Sequence, residues 1–377
     1  MFFTEQTSWA RARRARARVA PLVAPLVALL VAGAAPTATA TAQWIPQASG
    51  TTAELRGLSI VSPEVVWASG EHGTVLRTTD AGAHWHADTL AGATALDFRA
   101  IAATSATTAH VVSIGDSSRI YRTTDGGRHW SLRYRATRRG TFLDAIRFWD
   151  ARHGIAMSDP VDGRFLIVTT RDGGESWQEM PSEGMPAALP GEGAFAASGT
   201  SLTVRGRRDA WFATGSASVA RVFHSSDRGR SWTAVSTPMR AGIASTGIFS
   251  IAFADARHGV VAGGDYQQPA LRGRNVATTR DGGRTWLATD STLSPTGYRS
   301  AVAYWPGSGG RELVAVGITG TDTSPDGGRS WATTDSVGYN SLALVRNGPR
   351  CARGWAVGKG GRVGMVRRCE TGSGIRD

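Results

Sequence analysis

Three arginines and one asparagine stand at the starts of short apolar segments, and side chains of these types bind carboxylates. Two of the segments are Leu55-Arg56-Gly57-Leu58 and Phe98-Arg99-Ala100-Ile101, and the other two residues are Arg299 and Asn340. A guanidinium group is planar and presents parallel N–H donors, so it can hold a carboxylate by two hydrogen bonds at once. If the fold gathers these four residues, they predict a site for a carboxylate or another anion.

Acidic and tyrosine side chains are the natural counterparts of such a site. Asp144 begins another apolar segment, and Asp159, Glu192, Asp265 and Tyr266 fall where loops are expected. They could contact a cationic part of the same ligand. Hydrolysis of a glycosidic bond would need two suitably spaced carboxyl groups, and the sequence places no such pair. Alternatively, the arginines and acids pair with each other and only stabilise the fold, and the sequence leaves both alternatives open.

The sequence favours neither a metal nor a cofactor. His84 and His86 are close together, but His84 lies inside a turn motif and His86 on the strand expected after it. A dinucleotide fingerprint of strand, Gly-x-Gly-x-x-Gly and helix is absent from the sequence. We therefore expect no metal and no cofactor, and we assign no catalytic residue.

An eight-residue pattern, Ser/Thr-x-Asp-x-Gly-x-x-Trp, organises the chain and is called the box below. Its Asp accepts hydrogen bonds from amides of the turn, its Gly supplies a positive φ, and its Trp covers the hairpin. The six Asp are therefore interpreted as structural. Their spacing of 45 to 55 residues is that of a four-stranded propeller blade. The six copies have Asp80, Asp125, Asp172, Asp227, Asp281 and Asp326.

Three predicted strands, a to c, precede each box, and strand d begins at the box Trp. Residues 341–344, 355–358 and 362–367 supply strands a to c of a seventh blade, which lacks its outer strand. Residues 43–46 resemble a strand d without a blade. Pairing the two ends removes exposed strand edges. We therefore predict an all-β, seven-bladed β-propeller of four-stranded antiparallel blades, with the last blade closed by the N-terminal strand.

The two faces of a propeller carry different turns. The starts of strand a and the b–c turns lie on one face, here called the loop face, and the boxes lie on the opposite box face. Blades six, seven, one and two are consecutive once the ring closes. We therefore expect Arg299, Asn340, Arg56 and Arg99 to line one arc of the channel mouth on the loop face.

The first 42 residues have the features of a cleaved signal peptide. Five arginines in residues 11–18 precede an apolar stretch, residues 19–35, and Ala40-Thr41-Ala42 offers a cleavage site before Gln43. A retained membrane anchor is the alternative, but prolines and a glycine interrupt the stretch and it is short for a bilayer. The predicted organisation is a signal peptide (1–42), a propeller (43–370) and a C-terminal tail (371–377), in a periplasmic or secreted protein.

The two cysteines are predicted to form a disulfide. A hairpin that turns about Gly360 places Cys351 opposite Cys369, within reach of a bond, and an exported protein meets an oxidising compartment. Two free thiols or a slipped register are the alternatives.

The net charge of +12 does not require a polyanionic partner. The predicted signal peptide holds five of the 42 basic residues and one of the 30 acidic ones, which leaves +8 on the remainder. The arginines are scattered through the hairpins, as on an ordinary solvated surface. We therefore expect a monomer without a nucleic-acid partner and without stable membrane insertion after cleavage.

The boxes are similar to the Asp-box (BNR) repeats of sialidases and related propellers. Strands such as Gly-Trp-Ala-Val-Gly at 354–358 resemble the photosystem II stability and assembly factor family. Residues 158–163, 191–200 and 263–266 resemble its exported bacterial members, some of which are labelled putative oxidoreductases. This resemblance implies docking on a client protein through an arginine-rich face. An oxidoreductase activity has no support in the residues.

Three functions follow as hypotheses. We favour an exported, non-enzymatic binding or assembly protein that recognises an envelope protein client or an acidic, carboxylate-bearing ligand at the loop face. In a sialidase-like glycoside hydrolase, Arg56, Arg99 and Arg299 would form the arginine triad, with Glu192 and either Tyr266 or Tyr298 as the nucleophile pair. The Phe-Arg-Ile-Pro segment typical of sialidases is absent. A purely structural envelope protein without a pocket is the third hypothesis.

Overall fold

The computed structural model describes residues 44–115 and 118–369, and its regular structure is almost entirely β-strand. Its 28 strands form seven four-stranded antiparallel sheets. In six of the sheets the strands follow chain order from a to d, and in the seventh β1 (Ile45–Gln47) takes the place of strand d. The predicted seven-bladed propeller is confirmed. Among these residues, no helix is long and apolar enough to cross a membrane.

The strands of the first four blades are given in order from a to d. Blade one consists of β2 (Leu55–Ile60), β3 (Val66–Gly70), β4 (Thr74–Thr78) and β5 (His86–Thr89). Blade two consists of β6 (Phe98–Ala103), β7 (Ala109–Ser113), β8 (Arg119–Thr123) and β9 (Ser131–Arg135). Blade three consists of β10 (Leu143–Phe148), β11 (Gly154–Val161), β12 (Arg164–Thr170) and β13 (Gln178–Glu179). Blade four consists of β14 (Leu202–Arg205), β15 (Asp209–Ala213), β16 (Arg221–Ser225) and β17 (Thr233–Ser236).

The remaining blades complete the ring. Blade five consists of β18 (Thr246–Phe253), β19 (Gly259–Asp265), β20 (Val276–Thr279) and β21 (Leu287–Ala288). Blade six consists of β22 (Ala301–Tyr304), β23 (Leu313–Gly317), β24 (Gly320–Ser324) and β25 (Ala332–Asp335). Blade seven consists of β26 (Ser341–Arg346), β27 (Cys351–Val357), β28 (Val363–Cys369) and β1, with a 3₁₀ turn at Lys359–Gly361.

The two ends of the described chain meet in blade seven. β1 pairs with β28 in antiparallel register, with Ile45 opposite Met365. Trp44, just before β1, is buried, and its indole N–H donates to the hydroxyl of Thr321 at 2.9 Å. The predicted closure by the N-terminal strand is therefore confirmed. The predicted signal peptide with its cleavage site before Gln43, and the predicted tail, lie outside the described residues.

The last hairpin holds the disulfide. Cys351 lies opposite Cys369 and Val357 opposite Val363, which is the register that the turn at Gly360 predicts. The structure contains the Cys351–Cys369 disulfide. The prediction is confirmed.

The boxes form the c–d turns, as predicted. In the first box, the backbone N–H of His84 donates to Asp80 Oδ1 at 2.9 Å, and the Thr78 hydroxyl donates to the same oxygen at 2.8 Å. These hydrogen bonds, led by that from His84, lower the pKa of Asp80 to about 2. Strand d begins one residue after the box Trp rather than at it, because the Trp still belongs to the turn. The indole of Trp130, for example, donates to the carbonyl of Gly127 in its own turn at 3.1 Å.

The hydrophobic core lies between neighbouring blades. Strand b is buried along its whole length in blade one, where all five residues of Val66–Gly70 are buried. The core cluster that contains Leu55 and Val66 also contains Trp355 of blade seven, so blade seven packs against blade one as the other blades pack in sequence. Apolar contact between sheets therefore fixes every strand-a start around one axis.

Candidate functional site

A segment between blades three and four fills the central channel. We call residues 194–200 the plug. Ser198 joins it to blades six and seven, because its hydroxyl donates to the carbonyl of Ser300 at 2.8 Å and its carbonyl accepts from the hydroxyl of Ser341 at 3.0 Å. The sequence singled out this segment for its family resemblance, but its place in the channel was not predicted.

Further hydrogen bonds fix the plug to other blades. The Thr200 hydroxyl donates to that of Ser250 in blade five at 2.8 Å. The Arg56 guanidinium of blade one donates to the carbonyl of residue 197 at 3.3 Å, and the N–H of residue 194 donates to Asp159 of blade three at 2.7 Å. The plug therefore makes the channel a blind depression rather than a pore.

The depression on the loop face, which we call the cup, has a volume of about 440 Å³. Its floor is formed by residues 194–197 of the plug. Five of the nine predicted site residues line its wall, namely Arg56, Arg99, Asp159, Tyr266 and Asn340. Clefts on the outer rim, between blades one and two and between blades four and five, contain none of the predicted site residues. The remaining wall residues are Phe142, Phe249, Tyr298 and Ile318.

A repeated β-bulge explains which side chains reach the cup. In blades one, two, three and five, the pairing of strand a with strand b skips one residue near the start of strand a. A bulged residue leaves the alternation of the strand and its side chain is re-aimed. Three of the four bulged residues line the cup, and Asp144 is the one that does not. The four are Arg56, Arg99, Asp144 and Phe249.

The two arginines of the cup are only partly paired. Arg99 Nε donates to Asp97 Oδ2 at 2.7 Å, and its two terminal nitrogens have no protein partner within the described ranges. Arg56 contacts Glu54 Oε1 at 2.5 Å and the plug carbonyl. The Asn340 amide donates to the same Glu54 oxygen at 3.0 Å. Asn340 therefore fixes the carboxylate of Glu54, which in turn holds the Arg56 guanidinium. The cup thus keeps free guanidinium N–H groups, most of them on Arg99.

Two of the predicted acids, Asp159 and Asp144, lie close enough to each other for their charges to interact. Asp159 Oδ1 accepts the hydrogen bond from the plug, and burial raises the pKa of Asp159 to about 6. Asp144 is fully buried, and neither carboxyl oxygen has a partner among the residues that the structure describes. Burial, followed by the charge of Asp159, raises the pKa of Asp144 well above its usual range, while Arg99 opposes this shift.

Arg299 does not reach the cup, contrary to the predicted arc of four residues. Strand a of blade six begins two residues later, at Ala301, and has no bulge. The guanidinium instead turns into its own blade and is fully buried against Asp322, with Nε to Oδ2 at 2.7 Å and Nη2 to Oδ2 at 2.5 Å. Thr296, Thr319 and the Tyr298 carbonyl accept the other three hydrogen bonds. The guanidinium thus makes four hydrogen bonds and one further ion-pair contact within its own blade.

Glu192 and Asp265 are also engaged elsewhere. Glu192 Oε1 accepts from Arg221 Nε at 2.8 Å and from the Thr214 hydroxyl at 2.6 Å, and Oε2 accepts from Arg221 Nη2 and the Leu189 amide. Asp265 is buried at the end of β19, where its carboxylate caps the following turn. Neither side chain lines the cup.

An aromatic wall completes the cup and was not predicted, apart from Tyr266. The rings of Phe195 and Phe249 stack with centroids 3.8 Å apart, and Tyr266 and Tyr298 meet Phe249 edge-on. Tyr266 is 43% exposed. The sequence signal existed, because Phe249 holds the same place in Ile248-Phe249-Ser250-Ile251 as Arg56 holds in its own segment.

Apolar side chains lie beside the cup on the loop face. Nine large hydrophobic side chains are exposed among the described residues, and five of them lie in loops of this face between strand d of blade four and strand a of blade seven. Such clustering on one side marks an interaction surface more often than a solvated one. The five are Ile243, Tyr266, Leu271, Ile318 and Val337.

The described part of the chain contains no group of three or more His, Cys, Asp or Glu side chains that could hold a metal ion. His84 Nδ1 lies 2.7 Å from Asp80 Oδ2 within the first box.

The fold is similar to those of known propellers. YCF48 bound to D1 peptide matches with a TM-score of 0.61 and 18% identity, over 86% of this chain and 96% of the other. YCF48 from Cyanidioschyzon merolae matches with a TM-score of 0.61 and 19% identity, over 86% and 99% of the chains. The GH74 enzyme of Niastella koreensis matches with a TM-score of 0.59 and 14% identity, over 85% of this chain and 53% of that one.

The predicted resemblance to the photosystem II assembly factor family is therefore confirmed in the fold. No protein-family model matches the sequence, and neither does any curated protein. At these identities the similarity establishes a shared propeller architecture and leaves function to the residues of the cup.

Proposed function

We propose that this is an exported, non-enzymatic propeller that binds a segment of a client protein in the cup. The observation that carries the proposal is a cavity with free guanidinium donors, above all on Arg99, beside an arc of exposed apolar loops. A polypeptide segment would bury those apolar side chains and could place a carboxylate on Arg99. A small anion alone would leave them in water.

The blind shape of the cup supports the same proposal. The plug is hydrogen-bonded to five of the seven blades, so the floor is rigid. A rigid site loses little conformational entropy when it binds a ligand. One of the similar propellers is bound to a peptide, the D1 peptide on YCF48. That case supports a peptide segment as the ligand class here, by analogy of fold.

Export is part of the proposal. It is supported by the signal-peptide features of the first 42 residues and by a disulfide, which persists in oxidising compartments. Mass spectrometry of the protein from the envelope or medium should give a mature chain that begins at Gln43. A chain that retains its first residues would refute cleavage.

The test is capture of clients from an envelope fraction. We expect the Arg56→Glu/Arg99→Glu variant to lose the clients that the wild-type protein retains. A matched control, Arg230→Glu/Arg284→Glu, makes the same charge change on two exposed arginines of the box face and should capture normally. Circular dichroism and thermal unfolding check that both variants fold. Undiminished capture by a folded cup variant would refute the proposal, and an absence of specific clients would favour a structural envelope protein.

A glycoside hydrolase is the second candidate, and one observation favours it. Asp159 lines the cup with a pKa raised to about 6, as a general acid requires. The candidate nucleophile Glu192 is occupied by Arg221 and lies outside the cup. Steady turnover of aryl glycosides, including sialosides, that disappears in Asp159→Asn would establish this alternative.

A further inference from the structure

Two opposite charges face the cup without touching. The terminal nitrogens of Arg99 and the carboxylate of Asp159 both line it, and no ion pair within 4.0 Å joins the two side chains. The plug amide donates to Asp159 Oδ1, and Oδ2 has no hydrogen-bond partner within the described ranges. The cup therefore presents one free acceptor and several free donors at separate places.

Each charge is anchored away from the other. Asp97 holds Arg99 through Nε, and the β-bulge at the start of β6 fixes the backbone beneath it. Asp159 lies where the pairing of β11 with β12 is irregular, and the plug amide holds its other oxygen. Opposite charges that are kept apart in a half-buried cavity remain available to a ligand that carries both charges.

Asp159 has no ion-pair partner within 4.0 Å among the described residues. Asp144 lies behind it, fully buried and without a hydrogen-bond partner among the described residues. The cation whose charge acts on Asp144 is Arg99, which also pairs with Asp97. A cation from a ligand would offset the desolvation of the two carboxyl groups.

We propose that the bound client segment carries a lysine or arginine close to a carboxylate, with the cation on Asp159 and the carboxylate on Arg99. The alkyl part of the basic side chain would lie along Phe195 and the exposed ring of Tyr266, which also favour a cation at their faces. This inference rests on the proposed function and specifies the chemistry of its partner.

The proposal predicts a pH dependence. Asp144 of β10 is the charged group that interacts with Asp159, and Arg99 of blade two and Arg56 of blade one line the same cup. Asp159, with a pKa of about 6, must be ionised to hold a cation. Affinity for a cationic segment should therefore rise from about pH 5 to about pH 7, while affinity for an uncharged analogue stays nearly level.

The test compares two labelled hexapeptides, Ala-Leu-Ala-Leu-X-Ala with a free C-terminus, in which X is lysine or norleucine. Binding to the full mature chain is followed by fluorescence anisotropy. We expect the lysine peptide to bind about tenfold more tightly at pH 7, a typical effect for one desolvated charge pair. Asp159→Asn should abolish the difference, since asparagine can still accept the plug hydrogen bond but carries no charge.

Asp162→Asn is the matched control, because Asp162 directly follows β11, the strand that contains Asp159, and its side chain is 83% exposed. It should keep the tenfold preference. Equal binding of both peptides, in an Arg99-dependent manner, would overturn this inference and leave the proposed function standing. A preference that survives in Asp159→Asn, or wild-type protein that binds neither peptide, would also overturn it.

Discussion

Arg99 and Arg299 hold equivalent places in the sequence pattern, but Arg99 lines the cup and Arg299 is buried inside its blade. This difference predicts different effects of substitution. Replacing Arg299 with methionine should destabilise the protein strongly, whereas replacing Arg99 with methionine should not. The side chains of Arg299 and Asp322 are both 0% exposed, whereas those of Arg99 and Asp97 are 30% and 21% exposed. The two substitutions thus separate a buried ion pair from a partly solvated one.

The magnitudes follow from burial. Loss of Arg299 leaves the Asp322 carboxylate buried without its cation, which costs ~3–5 kcal/mol of the free energy of unfolding. Loss of Arg99 removes a solvated pair worth ~0–1 kcal/mol. Substituting both Arg299 and Asp322 with apolar residues should recover part of the loss, because no uncompensated charge then remains.

Urea unfolding followed by tryptophan fluorescence measures these free energies. Client capture is measured in parallel, and there the order reverses, since Arg99→Met should lose clients and folded Arg299→Met should keep them. Equal destabilisation by the two substitutions would refute the assignment of Arg299 to the core. Loss of capture in folded Arg299→Met would refute its exclusion from the site.

Three further predictions concern the closure of the ring and the buried acid. Replacing both cysteines with serine should lower the free energy of unfolding by about 3 kcal/mol for a bond that spans 18 residues, which urea unfolding of the variant would show. Trp44→Ala should cost ~3–5 kcal/mol because it empties a buried site between blades six and seven, and limited proteolysis should then cut first near β1. Asp144 has a folded-state pKa above its unfolded one, so its burial disfavours the native state only above the unfolded pKa of about 4. Asp144→Asn should therefore raise the thermal midpoint at pH 7 and leave it nearly unchanged at pH 3.

The propeller could be predicted because the chemistry of its turns is local. Each box holds its own hydrogen bonds, as the Asp80 turn does, so six spaced copies reveal six hairpins without knowledge of the rest. The closure and the disulfide followed from counting strands and from one hairpin register.

The site was predicted only in part, because its geometry depends on distant contacts. Arg56 and Arg99 were found from their places at strand starts. Arg299 differs from them because strand a of blade six lacks the one-residue bulge. The sequence pattern does not reveal which strands carry this bulge. The plug was missed because each of its anchoring hydrogen bonds to another blade joins residues 35 to 143 positions apart in the chain.

A photo-crosslink from the cup tests whether a client segment binds there. A benzophenone amino acid at Ile318, a half-exposed residue that lines the cup, should crosslink to a client segment in the envelope. The same probe at Leu287, 70% exposed on an outer strand, should not. Adducts should form from position 318 and disappear when Arg99 is changed to glutamate. Adducts that form equally from position 287, or that persist without Arg99, would contradict binding in the cup.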